Sequence, residues 1–273
     1  MNHLHRELAP ISADGWAEID KEATRTLKTN LGARRIVDFV GPVGWEKSAV
    51  GLGRVEPVRE PARGVEARLR KVLPLVELRV PFEMSRAELD AIGRGAKDPD
   101  TDPVIAAARA IAIAEDRAIF HGFAAAGIRG ICEAQASAAV AVGDDFTKFP
   151  QAIASAVTKL RDDGVAGPYA VALSEAAYAG LTETTSGGYP VLEHVRHMVD
   201  GPLVWTPGLE GAAVLSMRGG DFELTVGEDF SIGYLGHNDE FVRLYVEESF
   251  TFWLLSAQAA IPLTQRARAA AKK

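Results

Sequence analysis

Residues 65–80 read VEARLRKVLPLVELRV, and their alternation is the most informative pattern in the sequence. Apolar residues alternate with charged ones, first as Val65, Ala67 and Leu69 and, after Pro74, as Val76, Leu78 and Val80. A two-residue period is typical of a β-strand, and a change of phase marks a bend or a change of strand partner. We interpret residues 46–80 as a long two-stranded arm.

The predicted arm contains few bulky residues, and glycines and prolines interrupt its first half, namely Gly51, Gly53, Pro57 and Pro61. An isolated hairpin of this length has marginal stability in water unless another surface covers it. The sequence therefore predicts an arm that pairs with neighbouring subunits of an assembly.

A one-sided helix is predicted before the arm. Ser12 is a suitable N-cap, and Gly32 follows the last helical position. One face of the helix carries the apolar residues Trp16, Ile19, Ala23, Leu27 and Leu31. This spacing of three and four predicts a helix that lies on another part of the protein with one side only.

Helical and extended patterns alternate after the arm. Asp102 and Pro103 form a typical N-cap and N1 pair, and they predict a long helix over 104–126. The later patterns predict helices over 150–162 and 174–181, a buried strand over 169–173, and strands over 212–217 and 222–226 that flank the turn 218–221. This alternation is typical of a compact α/β domain.

The composition is that of a globular protein: 273 residues, of which 47% are hydrophobic and 25% charged. A net charge of -7 provides no long-range attraction for nucleic acid or an anionic membrane, so neither is an expected partner. The single cysteine, Cys132, excludes an intrachain disulfide. The N-terminal residues lack the pattern of a signal peptide, and no apolar stretch is long enough to span a membrane, so we expect a cytoplasmic protein.

Sequence motifs for catalysis are absent. The chain contains no G-x-S-x-G elbow, no Walker loop, no G-x-G-x-x-G between a strand and a helix, and no H-E-x-x-H. Glu193 and His197 lie four apart on a possible helix, but without a third ligand they favour a polar helix or a pore rim over a metal site. The adjacent Glu115 and Asp116 are interpreted as helix-surface or subunit-contact charges. The sequence thus predicts no catalytic and no metal-binding residues.

Short segments spread over the chain carry a family resemblance. They are Leu8-Ala9-Pro10, Arg34-Arg35-x-Val37-Asp38, Gly41-Pro42-x-Gly44-Trp45-Glu46, Leu73-Pro74-Leu75-Val76-Glu77-Leu78-Arg79, Glu115-Asp116-x-x-Ile119-Phe120-x-Gly122, Gly188-Tyr189-Pro190 and Arg218-Gly219-Gly220-Asp221-Phe222. In this order they make the chain similar to the type 1 encapsulins over nearly its whole length. The resemblance implies an α+β fold of the HK97 phage-capsid type, with a P-domain, an extended β-hairpin E-loop and an α/β A-domain.

On this resemblance the chain divides into five parts. They are the N-terminal helix and start of the P-domain (1–45), the E-loop (46–80), the P-domain with its spine helix (81–126), the A-domain (127–225), and the return strands of the P-domain with a basic C-terminal tail (226–273). The arm predicted from the alternation is the E-loop of this division.

The resemblance also implies a function as a structural shell subunit. Similar proteins self-assemble into icosahedral nanocompartments that enclose a cargo enzyme, here expected to be a dye-decolorising peroxidase or a ferritin-like iron oxidase that acts in oxidative stress or iron storage. The cargo is captured by its C-terminal targeting peptide. The matching surface of this chain comprises Leu27, Leu31, Arg34, Asp38, Phe230, Ile232 and Tyr234. For Leu27 and Leu31, packing of the helix onto its own subunit is an equally good interpretation.

A pore and the absence of a cofactor are further expectations from the resemblance. The residues expected to line a pore are Thr185, Ser186, Gly187, Gly188 and Tyr189. Some family members bind a flavin through a tryptophan at the position that Ala87 occupies here, so we expect neither flavin nor another cofactor. The short chain favours the smallest icosahedral shell. Two alternatives remain open: a viral major capsid protein of the same fold, which the acidic balance disfavours, and a free hydrolase.

Overall fold

The computed structural model describes residues 3–143 and 145–264. The α-helices of this part are α1 (Ala13–Asn30), α2 (Arg86–Gly93), α3 (Asp102–His121), α4 (Ile131–Ala134), α5 (Phe149–Asp162), α6 (Glu175–Glu183) and α7 (Val191–Arg196). Its β-strands are β1 (Asp38–Val40), β2 (Ala49–Ala62), β3 (Val65–Pro74), β4 (Val76–Ser85), β5 (Val140–Ala141), β6 (Tyr169–Leu173), β7 (Thr185–Ser186), β8 (Tyr189–Pro190), β9 (Leu203–Trp205), β10 (Ala212–Ser216), β11 (Phe222–Val226), β12 (Ser231–His237), β13 (Phe241–Leu254) and β14 (Ala260–Thr264). Within the described residues, the α-helices lack the combined length and apolar character that a membrane crossing requires.

The first sheet is built around β13. This strand pairs antiparallel with β4, β11 and β12, and β1 joins β11 in parallel. Helices α1 and α3 pack on the sheet. Their apolar stripes share one core with it, which includes Ile19, Ala23, Leu27, Ile111, Val242 and Leu244. Most of the stability of α1 comes from this packing, because an isolated amphipathic helix is marginal in water.

The second sheet has the strand order β5-β14-β10-β6-β9. Its strands β6 and β10 are buried at every position, as expected for strands that are covered on both faces. Helices α5, α6 and α7 contribute Ile153, Leu160, Leu181 and Val195 to the same core. Strand β6 coincides with the predicted strand, and α5 and α6 begin within one residue of their predicted starts.

The start of α1 and both ends of α3 can be compared with the prediction. Ser12 is the N-cap of α1 as predicted, and its Oγ accepts a hydrogen bond from Gly15 N at 3.1 Å. Helix α3 begins at Asp102, so its N-cap is Thr101, one residue before the predicted N-cap Asp102. It also ends well before the predicted residue 126, because Gly122 adopts a φ of 84° that a helix cannot continue through.

The arm is shorter than predicted. Strands β2 and β3 pair with each other, whereas β4 pairs with β13, so residues 76–80 belong to the first sheet. The change of phase at Pro74 therefore marks a change of strand partner, and Leu78 and Val80 pack against the core of that sheet. The arm of this protein comprises β2 and β3, residues 49–74.

The strands on either side of the turn 218–221 lie where they are predicted, as β10 and β11. The turn connects the two sheets, because β10 lies in the second sheet and β11 in the first. Strand β14 pairs with β10 in the second sheet, although residues 226–273 are predicted to return to the P-domain. Its buried apolar residues pack into the core that the second sheet shares with α5, α6 and α7. The predicted basic tail from Gln265 lies outside the described residues.

Candidate functional site

A groove of about 260 Å³ lies between α1, the N-terminal segment 3–11 and β12. It is lined by Leu4, Arg6, Asp20, Ala23, Thr24, Leu27, Phe230, Ser231, Ile232 and Val246. Asp20, Thr24 and Leu27 share one face of α1, because residues three and four apart are neighbours on a helix. The groove therefore combines an apolar floor with a few polar groups at its walls.

The N-terminal segment 3–11 forms one wall of the groove. Leu4 is buried, and its carbonyl oxygen accepts a hydrogen bond from Tyr234 N at 2.8 Å. The Arg6 guanidinium donates to Asp20 Oδ2 at 2.7 Å and lies 3.9 Å above the centre of the Trp16 ring. These contacts hold the segment against both β12 and α1.

Three of the seven residues predicted for peptide binding line the groove together: Leu27, Phe230 and Ile232. Leu31 and Tyr234 pack against the core beneath it. The Arg34 guanidinium lies 4.4 Å from the centre of the Phe230 ring and so borders the groove.

Asp38 lies elsewhere in the fold. Its Oδ2 accepts a hydrogen bond from Gly220 N at 2.6 Å, in the turn that joins the two sheets. Asp38 thus stabilises this turn and does not line the groove. Its predicted contact with a peptide stays a prediction.

Sequence reasoning missed the residues of the opposite walls, which are Leu4, Arg6, Asp20, Thr24 and Ser231. The positions of Asp20 and Thr24 could have been predicted from the sequence, because their spacing places both on the same helix face as Leu27. For Leu4 and Arg6 no periodicity could reveal the position, since the segment before α1 reaches the groove through contacts with distant residues.

A buried charge network lies beside the groove. The Arg34 guanidinium lies 2.6 Å from Glu115 Oε2, 2.6 Å from Asp229 Oδ1 and 3.1 Å from Glu248 Oε2. The Glu115 and Glu248 side chains are fully buried. Burial alone would lower the pKa of Arg34, but attraction to these carboxylates outweighs it and the pKa is raised.

Glu248 is held in an unusual electrostatic setting. Burial raises the pKa of Glu248 well above its usual range, and the neighbouring Glu115 raises it further, whereas Arg34 acts in the opposite direction. Because one guanidinium faces two buried carboxylates, removal of Arg34 would leave them without a counter-charge.

Asp116 fastens the end of α1 to α3. Its Oδ2 accepts a hydrogen bond from Gly32 N, and its Oδ1 accepts one from Ala33 N, both at 2.9 Å. Burial raises the pKa of Asp116 to about 7, although the two backbone hydrogen bonds lower it. The interpretation of Glu115 and Asp116 as surface or subunit-contact charges is wrong, because both side chains are fully buried and bind groups within the same subunit.

An exposed hairpin tip is found where the pore-lining residues are predicted. Thr185 and Ser186 form β7, which pairs with Tyr189 and Pro190 of β8. Gly187 and Gly188 connect the strands with φ of 61° and 86°, values that suit a two-residue hairpin turn. Tyr189 is 67% exposed. The shape is that of a projecting tip, and pore lining itself stays a prediction.

The metal candidate considered from the sequence is a polar helix end. Glu193 Oε1 accepts a hydrogen bond from Arg196 at 2.9 Å, and His194 and His197 are exposed. Among the described residues, Glu193 and His197 belong to no cluster of three possible metal ligands.

Comparison with solved structures defines the class of protein. The virus-like particle from Pyrococcus furiosus matches with a TM-score of 0.62 at 14% identity, over 91% of this chain and 98% of that chain. The capsid of Myoviridae phage XM1 matches with a TM-score of 0.55 at 14% identity, over 85% of this chain and 90% of that chain. At this identity the likeness concerns the fold alone. The fold is that of phage capsids and virus-like particles, which confirms the prediction.

Sequence comparison defines the family. The Linocin_M18 family, described as "Encapsulating protein for peroxidase", matches residues 1–251. A type 1 encapsulin shell protein of Rhodospirillum rubrum is 56% identical over 100% of both chains, and one of Mycolicibacterium paratuberculosis is 48% identical over 97% of this chain and 100% of its own length. The chain belongs to this family, as its short segments predict. Both relatives are named as shell proteins and not as enzymes, in agreement with the sequence-based expectation.

Proposed function

We propose that this chain is a structural shell subunit that self-assembles into an icosahedral nanocompartment. The observation that carries the proposal is the arm of residues 49–74, which projects apolar side chains into solvent. They are Val55, Val58, Val65, Leu69 and Val72, each at least 43% exposed. A two-stranded arm with so many exposed apolar side chains has marginal stability in an isolated subunit. Neighbouring subunits that cover these side chains would account for their exposure here.

Repetition of the contact between the arm and a neighbouring subunit can close the assembly into a shell. The arm of one subunit and the surface that receives it are different patches, so the contact is head-to-tail and generates rings or closed shells when copies are related by rotation. The capsid-like fold supports this geometry. Repeated burial of the arm, at about 25 cal/mol per Å² of apolar surface, favours assembly.

We further propose that the groove between α1, the N-terminal segment and β12 binds the C-terminal targeting peptide of a cargo enzyme. Leu27, Phe230 and Ile232 offer an apolar floor to an extended peptide, and Arg6 and Asp20 offer charges at its edge. A disordered tail binds one groove with modest affinity, because it loses conformational entropy on binding. The inner wall of one closed shell carries many such grooves, and together they retain the cargo more strongly than a single groove does. A dye-decolorising peroxidase is the favoured cargo, since the family description names a peroxidase, and a ferritin-like iron oxidase is the alternative.

The projecting hairpin of β7 and β8 is proposed to line a pore at a symmetry axis. Its exposed Tyr189 and the tight turn at Gly187 and Gly188 suit a narrow opening through which small molecules reach the cargo. No flavin is proposed for this chain. Ala87 offers no aromatic surface, and Arg79 already donates to Glu247 Oε2 at 2.5 Å and lies 4.1 Å from the Tyr245 ring centre.

Negative-stain microscopy of the untagged chain, expressed alone, tests the shell proposal. Uniform hollow spheres are expected, together with an absorbance spectrum free of nucleic acid. A stable monomer of 29.2 kDa in light scattering would contradict the proposal. Particles that protect co-purified nucleic acid from nuclease would instead support a viral capsid protein.

A further inference from the structure

A cluster of three possible ligands lies where the N-terminal segment meets the first sheet. His3 Nε2 lies 2.7 Å from Glu228 Oε2 and 3.5 Å from Glu247 Oε1. The three atoms all lie within 4.8 Å of one another. Nevertheless, among the described residues none of the three has a hydrogen-bond partner with acceptable geometry. When His3 Nε2 carries no proton, three atoms with free lone pairs thus converge on one small volume.

Burial makes this arrangement costly for Glu247. Its side chain is only 1% exposed, and Arg79 binds its Oε2, so Oε1 is left unpaired and directed towards His3. Burial also raises the pKa of Glu247, because the ionised carboxylate is less stable away from water. A buried carboxylate oxygen without a partner is rare in folded proteins, and a bound cation is one ordinary explanation.

The local charges also favour a divalent cation. Glu228, Glu247 and Glu77 carry negative charges here, and Arg79 is their cationic neighbour, at 3.3 Å from Glu77 Oε1. With a neutral His3 the group keeps two excess negative charges, which a divalent cation neutralises. A protonated His3 alone would remove one of them.

His3 is held in position by its neighbours. Its ring stacks on Trp45, with the ring centres 4.0 Å apart and the planes inclined by 12°. Leu4, the next residue, is tied to β12 through the hydrogen bond from Tyr234 N. The imidazole is therefore directed towards the two carboxylates by its stacking on Trp45 and by the anchored backbone of Leu4.

We propose that His3, Glu228 and Glu247 bind a divalent transition-metal cation such as Zn²⁺, which fastens the N-terminal segment to the first sheet. One imidazole nitrogen and two carboxylate oxygens form a ligand set that Zn²⁺ accepts at about 2.0–2.2 Å, with water in the remaining position. Imidazole distinguishes this set from the all-oxygen sites that Ca²⁺ and Mg²⁺ prefer. The bound cation holds Leu4 and Arg6, and thereby one wall of the groove.

Isothermal titration of the untagged, chelator-treated protein with Zn²⁺ tests the site. One high-affinity Zn²⁺ per subunit is expected for the wild type. His3→Ala and Glu228→Gln should each weaken its affinity by about tenfold or more, because each removes one of three protein ligands. His5→Ala is the matched control: His5 is exposed two residues away, and its removal should leave the affinity unchanged.

A second measurement reports on the segment itself. Trypsin cleavage after Arg6, followed by mass spectrometry, should be slowed by Zn²⁺ in the wild type and in His5→Ala but not in His3→Ala. The proposal is overturned if the wild type binds no Zn²⁺ at micromolar concentration, or if His3→Ala binds it as the wild type does. Protection of Arg6 that follows pH and ignores Zn²⁺ would show a protonated His3 in place of a metal, and would also overturn it.

Discussion

Arg34 and Glu115 form a bidentate ion pair inside the subunit, although they are 81 residues apart in the chain. Arg34 Nε donates to Glu115 Oε1 at 3.0 Å, and Arg34 Nη2 donates to Glu115 Oε2 at 2.6 Å. The same guanidinium reaches Glu248 of β13 and faces the Phe230 ring of the groove. One side chain thus joins α3, β13 and the groove.

Replacement of Arg34 is expected to destabilise the subunit strongly. Arg34→Met leaves Glu115 and Glu248 buried without their counter-charge, which costs about 3–5 kcal/mol when one partner of a buried pair is removed. Thermal unfolding followed by circular dichroism measures the effect.

Arg196→Met is the matched control for Arg34→Met. Arg196 pairs with Glu193 at the surface at 2.9 Å, so its loss should change the stability by no more than about 0.5 kcal/mol. Equal changes in the two variants would contradict the assigned role of the buried network.

The stability should depend on pH through Asp116. Its pKa is raised from 3.8 to about 7 in the folded subunit, so between these values the folded state binds a proton that the unfolded state has released. The contribution to stability is therefore full below about pH 4 and is lost as the pH rises through about 7. A shift of this size corresponds to at most about 4 kcal/mol.

Unfolding midpoints of the wild type and of Asp116→Asn between pH 4 and 8 measure this contribution. The variant should be less stable, because the amide supplies one acceptor where the carboxyl group supplies two, and its midpoint should fall less steeply with rising pH. Parallel pH profiles for the two proteins would exclude Asp116 as the titrating group.

Assembly should depend on the apolar side chains of the arm. Leu69 is 58% exposed in the subunit, so Leu69→Glu should leave the fold intact while placing a charge in the proposed subunit contact. Size-exclusion chromatography with light scattering should then detect small species in place of shells.

Leu69→Met controls for the change of residue at this position, because it keeps the apolar character and nearly the volume. It should assemble as the wild type does. Shell formation by Leu69→Glu at wild-type yield would be evidence against the arm as a locking element.

Cargo loading should depend on Phe230, which combines a place in the groove with stacking on Arg34. Aromatic anchors contribute strongly to binding, so Phe230→Ala should weaken capture of the cargo tail by about tenfold or more. The measurement is the ratio of cargo to shell protein after co-expression, with particle formation checked by microscopy.

Phe241→Ala is the control for the groove. Phe241 is 38% exposed at the start of β13 and does not line the groove, so shells of this variant should load cargo normally. Normal loading in Phe230→Ala would place the cargo contact on another surface.

Much of the local structure could be predicted from the sequence. Ser12 identified the start of α1, and the apolar run 169–173 identified β6, because caps and periodicity depend on residues within one or two turns. The same reasoning placed the end of α3 at residue 126, whereas the helix ends at His121. Gly122, which follows it, packs closely against residues 128–133, and no local sequence pattern reveals that contact.

Only some of the residues that line the groove could be named from the sequence, because the others reach it through long-range contacts. Leu27, Phe230 and Ile232 came from the family resemblance, whereas Leu4 and Arg6 reach the groove through contacts across the subunit. Asp38 illustrates the opposite case: a residue selected by its motif is engaged by the backbone of a distant turn.

Near-neighbour chemistry thus accounts for the helix stripe of α1, the strand β6 and the existence of a paired arm, because each depends on side chains a few positions apart. Long-range packing accounts for the sheet that receives β4, β11 and β14, for the burial of Glu115 and Asp116, and for the meeting of His3 with Glu247. Strand partners and buried charges depend on the whole chain, since the free energy of burying a side chain is set by everything that surrounds it.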